Sequence, residues 1–299
     1  MKLIHVFSIF ATVESFFDGQ FKYLTDQGYE VVVVSSYAQN AEAVCKRNGV
    51  RFVPVNIPRS VSPMAIVKAV RKLCLLIREE KVDAVFGHTP VGALCAMIAA
   101  RVCGVKSRVY YRHGVIYTTM QGLKRTIFKA EERFVASLAT SVVNVSYSLS
   151  KLAVIDRLNC VSKQNVIGHG TCGGIDAYDV FNPQWIDNEK FMRLKANLGI
   201  GKPDIVFGFC GRICNDKGIP ELVNAFNMFQ KKHIDLKAKL LLIGIMDERD
   251  ILPQATRDAI KDSKDIVVSG WIKKSEIPYY YSMLDVLSLI HISEPTRRV

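Results

Sequence analysis

Short apolar runs alternate with longer stretches of helical spacing through almost the whole chain, a pattern that fits a parallel sheet with helices on both faces and little else. Strand-like runs fall at residues 3–9, 30–36, 51–55, 83–87, 107–111, 141–145 and 165–167, and each except the last leads into a helix candidate. The run Val31-Val32-Val33-Val34 is too continuously apolar for a strand with one wet face, so it belongs in the middle of a sheet. Ser62 and Pro63 supply an N-cap and a first-turn proline for a helix reaching about residue 81. A polar segment at 182–188, broken by Pro183, interrupts the alternation. A second series follows: helix 188–198, strand 204–210, helix 219–232, strand 238–243, helix 252–262, strand 265–268 and helix 274–283. The 299 residues, 49% of them hydrophobic, are enough for two cores. The expected class is α/β, with two Rossmann-like doubly wound domains facing a cleft, where ligands meet the carboxyl ends of the strands.

The most informative local stretch runs from Ile205 to Gly218. An apolar strand ends at Gly211, Arg212 follows, and Lys217 and Gly218 precede a helix opening near Ile219. Backbone N–H groups and aligned peptide dipoles favour an anion at such a helix start. Arg212 can add bidentate contacts and Lys217 a point charge, a combination suited to a diphosphate. The same two residues also suit an ordinary exposed helix start. No Walker A motif is present, and the Gly-x-Gly-x-x-Gly spacing occurs at Gly168–Gly173, which opens no helix candidate, so dinucleotide and ATP chemistry lack their usual support.

The formal charge is +12 and is unevenly placed: residues 1–170 carry 22 Lys and Arg against 11 Asp and Glu, while the remainder is nearly balanced. An extended acidic partner should meet the first half. Lys68, Arg71, Lys72 and Arg78 on one helix candidate, and Lys124, Arg125, Lys129 and Arg133 on another, lie among apolar residues. Such faces can rest on anionic lipid headgroups, and they equally suit solvated helix faces. No nucleic-acid-binding motif or aromatic stacking array accompanies them, so nucleic acid is not an expected partner. The eight cysteines include no Cys-x-x-Cys pair and none has a histidine at zinc-ligand spacing; they read as reduced, buried thiols in a cytosolic setting. The apolar N-terminus contains His5 and runs into Glu14 and Asp18, which favours a buried first strand over a signal peptide. No segment is long and uncharged enough to cross a bilayer.

Over about residues 2–286 the chain resembles the family 4 (group 1) glycosyltransferases of GT-B architecture, and within them bacterial members that extend lipid-linked oligosaccharides or surface polysaccharides. The landmarks occur in order. Phe17-Asp18-Gly19-Gln20 resembles the glycine loop after the first strand, Gly87-His88-Thr89-Pro90 the His-x-Pro segment after the fourth, and Arg112-His113-Gly114 the histidine loop after the fifth. Gly168-His169-Gly170 through Gly174-Ile175-Asp176 resembles the entry to the second domain, and Gly211-Arg212 with Lys217-Gly218 the phosphate clamp. The expected domains are 1–172 on the acceptor side and an incomplete nucleotide-sugar domain at 173–286.

The resemblance implies a retaining, front-face transfer of a hexosyl or N-acetylhexosaminyl group from a nucleotide-diphosphate donor, UDP first among the candidates. The acceptor would be a polyprenyl-linked or other glycan in glycoconjugate synthesis. Gly19, Gly211, Arg212 and Lys217 would hold the donor diphosphate, and His113 would be the catalytic residue, binding the donor sugar or polarising the site. Gln20 and His88 would line the cleft. Each has a plainer reading as well: Gly19 as a tight turn, His113 as a structural histidine at a strand end, Asp176 as a cap. No Asp-x-Asp triplet for a divalent metal is present, and the reading calls for no metal and no cofactor. The expected location is the cytoplasm, with peripheral attachment to the inner face of the plasma membrane. A non-catalytic nucleotide-sugar binder and a GT-B sugar-nucleotide epimerase are the alternatives. An epimerase would convert its donor with no acceptor present.

Residues 287–299 break the resemblance, because the string ending Ile292-Ser293-Glu294-Pro295-Thr296-Arg297 looks like a translated transposase adapter. The paired glutamates that contact the donor sugar and ribose in the family normally lie just beyond this point. The expectation for the polypeptide as given is therefore little or no activity and an exposed sheet edge.

Overall fold

A computed structural model describes residues 1–17, 19–58, 62–248 and 250–289, which form two compact units, Met1–Gly174 and the residues from Ile175 onward. In the first unit the order is β1 (Lys2–Val6), α1 (Ala11–Phe16), α2 (Gln20–Asp26), β2 (Glu30–Ser35), α3 (Ala41–Arg47), β3 (Arg51–Pro54) and α4 (Pro63–Glu80). It continues with β4 (Ala84–Gly87), α5 (Pro90–Val102), β5 (Ser107–Arg112), α6 (Gly122–Leu138), β6 (Ser141–Asn144), α7 (Tyr147–Ile155) and β7 (Gln164–Asn165). The seven strands are parallel, in the order β3-β2-β1-β4-β5-β6-β7.

The valine run of β2 shows why this sheet needs helices on both sides. Val32 and Val34 pack on one face with Ile4, Val6, Val85 and α5, whereas Val31 and Val33 pack on the other with Leu3, Phe7, Phe17 and Phe21. Side-chain alternation thus divides one apolar run between two cores. Burying all four valines removes several kcal/mol worth of apolar surface from water, at about 1.5–3 kcal/mol for each side chain. Helix α4 starts at Pro63 as expected, but Ser62, although at the N-cap position, makes no side-chain capping bond.

The second unit contains α8 (Asn188–Asn197), β8 (Ile205–Cys210), α9 (Ile219–Lys232), β9 (Ala238–Ile243), α10 (Gln254–Asp262), β10 (Ile266–Val268), α11 (Ile277–Tyr281) and β11 (Val286–Leu287). Its four parallel strands run β10-β9-β8-β11. Two apolar clusters cover the two faces, one built on Phe209, Leu240, Leu242 and Phe226 and the other on Val206, Leu241, Ile243 and Tyr280. Helix 252–262 begins later than expected, at Gln254, because Leu252 is buried in a segment ahead of Pro253. The helix expected over 274–283 is only Ile277–Tyr281, opening with Pro278 in its first turn. Ladder bonding runs past residue 286: Leu287 pairs with Gly208 and the Ser288 N–H donates to the Gly208 carbonyl at 2.7 Å. Residues 290–299, most of the adapter-like tail, lie outside the described residues, as does Asp18 of the first glycine loop.

Candidate functional site

Three histidines meet at the carboxyl ends of the central strands of the first unit. On β1, alternation puts His5 on the same face as Leu3 and Phe7, and in register beside Phe86 of β4, on which its ring stacks at 4.4 Å. His88 follows β4 directly, its N–H held by the Val6 carbonyl at 2.9 Å. Its ring is fully buried between Phe7, 4.3 Å away and nearly parallel, and Tyr111 at 4.9 Å. His113 follows β5 and is only partly covered. His5 Nδ1 faces His88 Nε2 at 3.0 Å, and His88 Nδ1 faces His113 Nε2 at 3.2 Å.

Glycines hold this arrangement tight. A Cβ on Gly87 would come within 2.8 Å of the Ala93 Cα, and one on Gly92 within 2.6 Å of Thr89 Oγ1 and 2.9 Å of the Ser8 nitrogen, so α5 is seated directly against the ends of β1 and β4. Burial disfavours the charged form of all three imidazoles. It lowers His5 to about 3 and His113 to about 4, and His88 falls well below its ordinary value, with its two histidine neighbours adding to the burial effect. All three rings are therefore neutral near pH 7. His88 is corrected by this geometry: with no exposed surface it lines no cleft, and it sits behind His113 instead.

Gly19 adopts φ +90°, a conformation that L side chains rarely take, with open space where a Cβ would lie, and its N–H is held by Asn48 Oδ1 at 3.1 Å. Gln20 opens α2, and its Oε1 is buried without a hydrogen-bond partner among the described residues. Arg112, beside His113, is wholly buried. It bonds Glu132 at 3.0 Å, Asn144 at 3.1 Å and Asn159 at 3.2 Å, while the Tyr110 hydroxyl donates to the same carboxylate. Burial raises the Glu132 carboxyl above its usual range, and Arg112 and Tyr110 pull it back toward ionisation. This network anchors the end of β5 to α6 and so fixes where His113 starts.

In the second unit, β8 ends at Cys210, Gly211 takes φ +153°, and its N–H is held by the Ile243 carbonyl at 2.9 Å. A Cβ on Gly244 would lie 1.9 Å from the Gly211 carbonyl oxygen, so the ends of β8 and β9 touch backbone to backbone. Residues Asn215–Lys217 form a 3-10 turn, and Gly218 at φ +65° turns the chain into α9. Arg212 and Lys217 are both about half exposed and converge on one carboxylate, Asp216, at 3.4 and 3.7 Å. Arg212 is also paired to the nearly buried Asp247, whose hydrogen bond raises the guanidinium further above its already high value. Arg212 and Lys217 are thus together, each within reach of a carboxylate.

Donor atoms of Cys214, Asp216 and Asp250 lie within 4.8 Å of one another. They are already engaged: the Cys214 thiol, raised to about 11 first by burial, donates to Asp216 Oδ1 at 2.7 Å, and the Asp216 N–H donates to Asp250 at 2.7 Å. Asp176 accepts from the N–H groups of Tyr178 and Asp179, the turn-capping role open to it from the sequence. Of the basic residues on α6, Lys129 is paired with Asp156 and Arg133 donates to the carbonyls of Asp156 and Arg157, so both fasten α6 to the end of α7. The α4 cations are exposed, beside exposed Met64, Val67 and Leu75. No helix among the described residues is long and apolar enough to cross a membrane.

Sequence reasoning missed His5, Asp247 and Gly244. His5 had one visible signal, its odd-numbered place between Leu3 and Phe7 in an apolar strand. Gly244 had another, its position straight after a buried strand. Asp247 had none, since its partner is 35 residues away.

The profile of the family described as glycosyl transferase 4-like matches residues 5–146, which spans both the His88 and His113 segments. The capsular polysaccharide biosynthesis glycosyltransferase CapM of Staphylococcus aureus is 25% identical over 94% of this chain and 71% of its own length. The UDP-Gal:alpha-D-GlcNAc-diphosphoundecaprenol alpha-1,3-galactosyltransferase of Escherichia coli is 23% identical over 80% of this chain and 59% of its own, so the chain spans well short of the full length of these relatives. A glycosyltransferase structure from Rickettsia africae superposes with a TM-score of 0.76 at 18% identity, over 98% of this chain and 73% of that one. With two parallel doubly wound sheets and these solved neighbours, the chain has the GT-B fold, and its residues 5–146 match the glycosyl transferase 4-like profile.

Proposed function

We propose that this protein transfers a sugar, with retention, from a UDP-sugar to a lipid-linked glycan in surface polysaccharide assembly, without a divalent metal. The observation that carries this reading is the meeting of Arg212 and Lys217 at the turn between β8 and α9. Departure of the nucleotide diphosphate builds negative charge, and fixed cations aimed at that charge lower the barrier by preorganised electrostatics. On binding, the diphosphate would take over contacts that Asp216 now makes. The named donor and acceptor of the Escherichia coli relative support a UDP-sugar and a diphosphate-linked polyprenol.

In this reading Gly19 and Gly211 let the backbone approach the diphosphate. His113 is neutral and contacts the donor sugar, while the leaving phosphate helps to deprotonate the acceptor hydroxyl. A cavity of about 460 Å³ in the first unit is lined by Ser8, Glu14, Ser36, Tyr37 and Asn56, hydroxyl, carboxylate, amide and aromatic groups that suit the hydroxyls and ring faces of a glycan. The exposed cations and apolar residues of α4 would seat the protein on an anionic bilayer, where a polyprenyl-linked acceptor resides.

The test is an assay of a UDP-sugar panel against a diphosphate-linked polyprenyl glycan, with UDP affinity measured in parallel. Product that depends on the acceptor supports transfer. Conversion of donor with acceptor omitted would establish an epimerase instead, and UDP binding without turnover a binding module.

A further inference from the structure

The buried histidines His5 and His88 have no role in the reaction as described, yet they continue from His113 in a single file of ring-nitrogen contacts. A neutral imidazole carries one N–H and one bare nitrogen, so every contact between two such rings needs a donor on one side and an acceptor on the other. With two contacts in series, choosing the proton position on one ring chooses it on all three. Only two arrangements satisfy both contacts. Either every ring carries its proton on Nε2, leaving His113 Nδ1 bare, or every ring carries it on Nδ1, leaving His113 Nδ1 as a donor.

The inner end offers no competing partner: His5 Nε2 is buried with no hydrogen-bond partner among the described residues, and its ring is enclosed by Phe21, in a T-shaped contact at 4.9 Å, and Phe86, stacked at 4.4 Å. We propose that His5 and His88 are positioning residues that set the tautomer of His113, holding all three rings in one shared tautomer so that His113 Nδ1 presents a single fixed role, donor or acceptor, to a sugar hydroxyl. This deepens the reading of His113 as a contact to the donor sugar and rests on it. Burial of the file supports it by keeping each ring neutral, since one protonated ring would make both of its nitrogens donors and break the pattern.

The tautomers are read directly by NMR on the whole chain with 15N-labelled histidine, through the one- and two-bond couplings of each ring, with no ligand present. The wild type should show His5, His88 and His113 all in the same single tautomer near pH 7. His5→Phe keeps an aromatic ring at the inner end but removes its nitrogens, and should turn His88 and His113 together into tautomer mixtures. In the transfer assay His5→Phe should lower turnover on the order of tenfold or more, as a wrongly placed imidazole proton does elsewhere, with UDP affinity unchanged. Mixed or opposite tautomers in the wild type would overturn the proposal, and so would a His113 signal unaltered in a folded His5→Phe protein. If His5→Phe does not fold, the wild-type spectrum alone decides. Coupled tautomers in a protein that transfers no sugar would leave this inference standing and remove the transferase reading.

Discussion

The two groups of candidate residues are built on opposite physical principles. Around His113 the imidazoles are neutral and packed among aromatic rings, His5 and His88 fully buried, and their positions follow from strand register and close glycine contacts. Around Arg212 the groups are half exposed, fully charged and carried on a turn between glycines, and carboxylates balance them. A neutral buried site discriminates by geometry, because a misplaced hydrogen bond there goes uncompensated. An exposed charged site attracts from a distance, is weakened by salt, and tolerates small shifts in position. Under the proposed function, the contrast would give binding strength to the second unit and orientation to the first.

The contrast is open to measurement. The largest effect on ligand binding should come from replacing both Arg212 and Lys217 by Ala, which should weaken UDP binding by about a hundredfold or more, roughly 3 kcal/mol, as followed by titration calorimetry. An unchanged affinity would remove the clamp. His113→Ala should lower turnover by about a hundredfold while leaving UDP affinity within about twofold, and a matching loss of affinity would erase the division of labour.

The next effect is on stability in acid. The folded pKa values of His5 and His113, about 3 and about 4, lie below the ordinary unfolded value near 6.5. The unfolded chain therefore binds protons first as pH falls. The contribution of these rings is full above about pH 6.5 and is lost progressively toward pH 4 and 3, by about 1.4 kcal/mol per pH unit for each ring. Urea denaturation across this range should show the slope, and His5→Phe should reduce it. The smallest expected effect is that of Asp176→Ala, which removes an exposed turn cap and should cost no more than about 1 kcal/mol, measured as a shift in the denaturation midpoint.

Legibility followed the same division. Gly211, Arg212, Lys217 and Gly218 lie within eight residues of sequence, so a local reading could place them together and orient them on a helix start. His113 was also picked out, by its place at a strand end among ordered landmarks, but the reason for its setting was not. His5, His88 and His113 are spread over more than a hundred residues, and only the adjacency of β1, β4 and β5 in the sheet order brings their rings into contact. The basic residues of α6 looked like those of α4. Two of the four turned out to be tied to the end of α7, a contact with no trace in spacing.

Local rules acting on the amino-acid sequence determined the alternation of strands and helices, the burial of both faces of β2, and the charged turn ahead of α9, because periodicity, capping and turn chemistry act over a few residues. Which strands became neighbours, which cations found internal partners, and how three separate histidines came to share two protonic contacts were decided by the tertiary structure alone. Such pairings depend on the packing of elements far apart in the chain, and no short-range pattern encodes the partner that a buried nitrogen will meet.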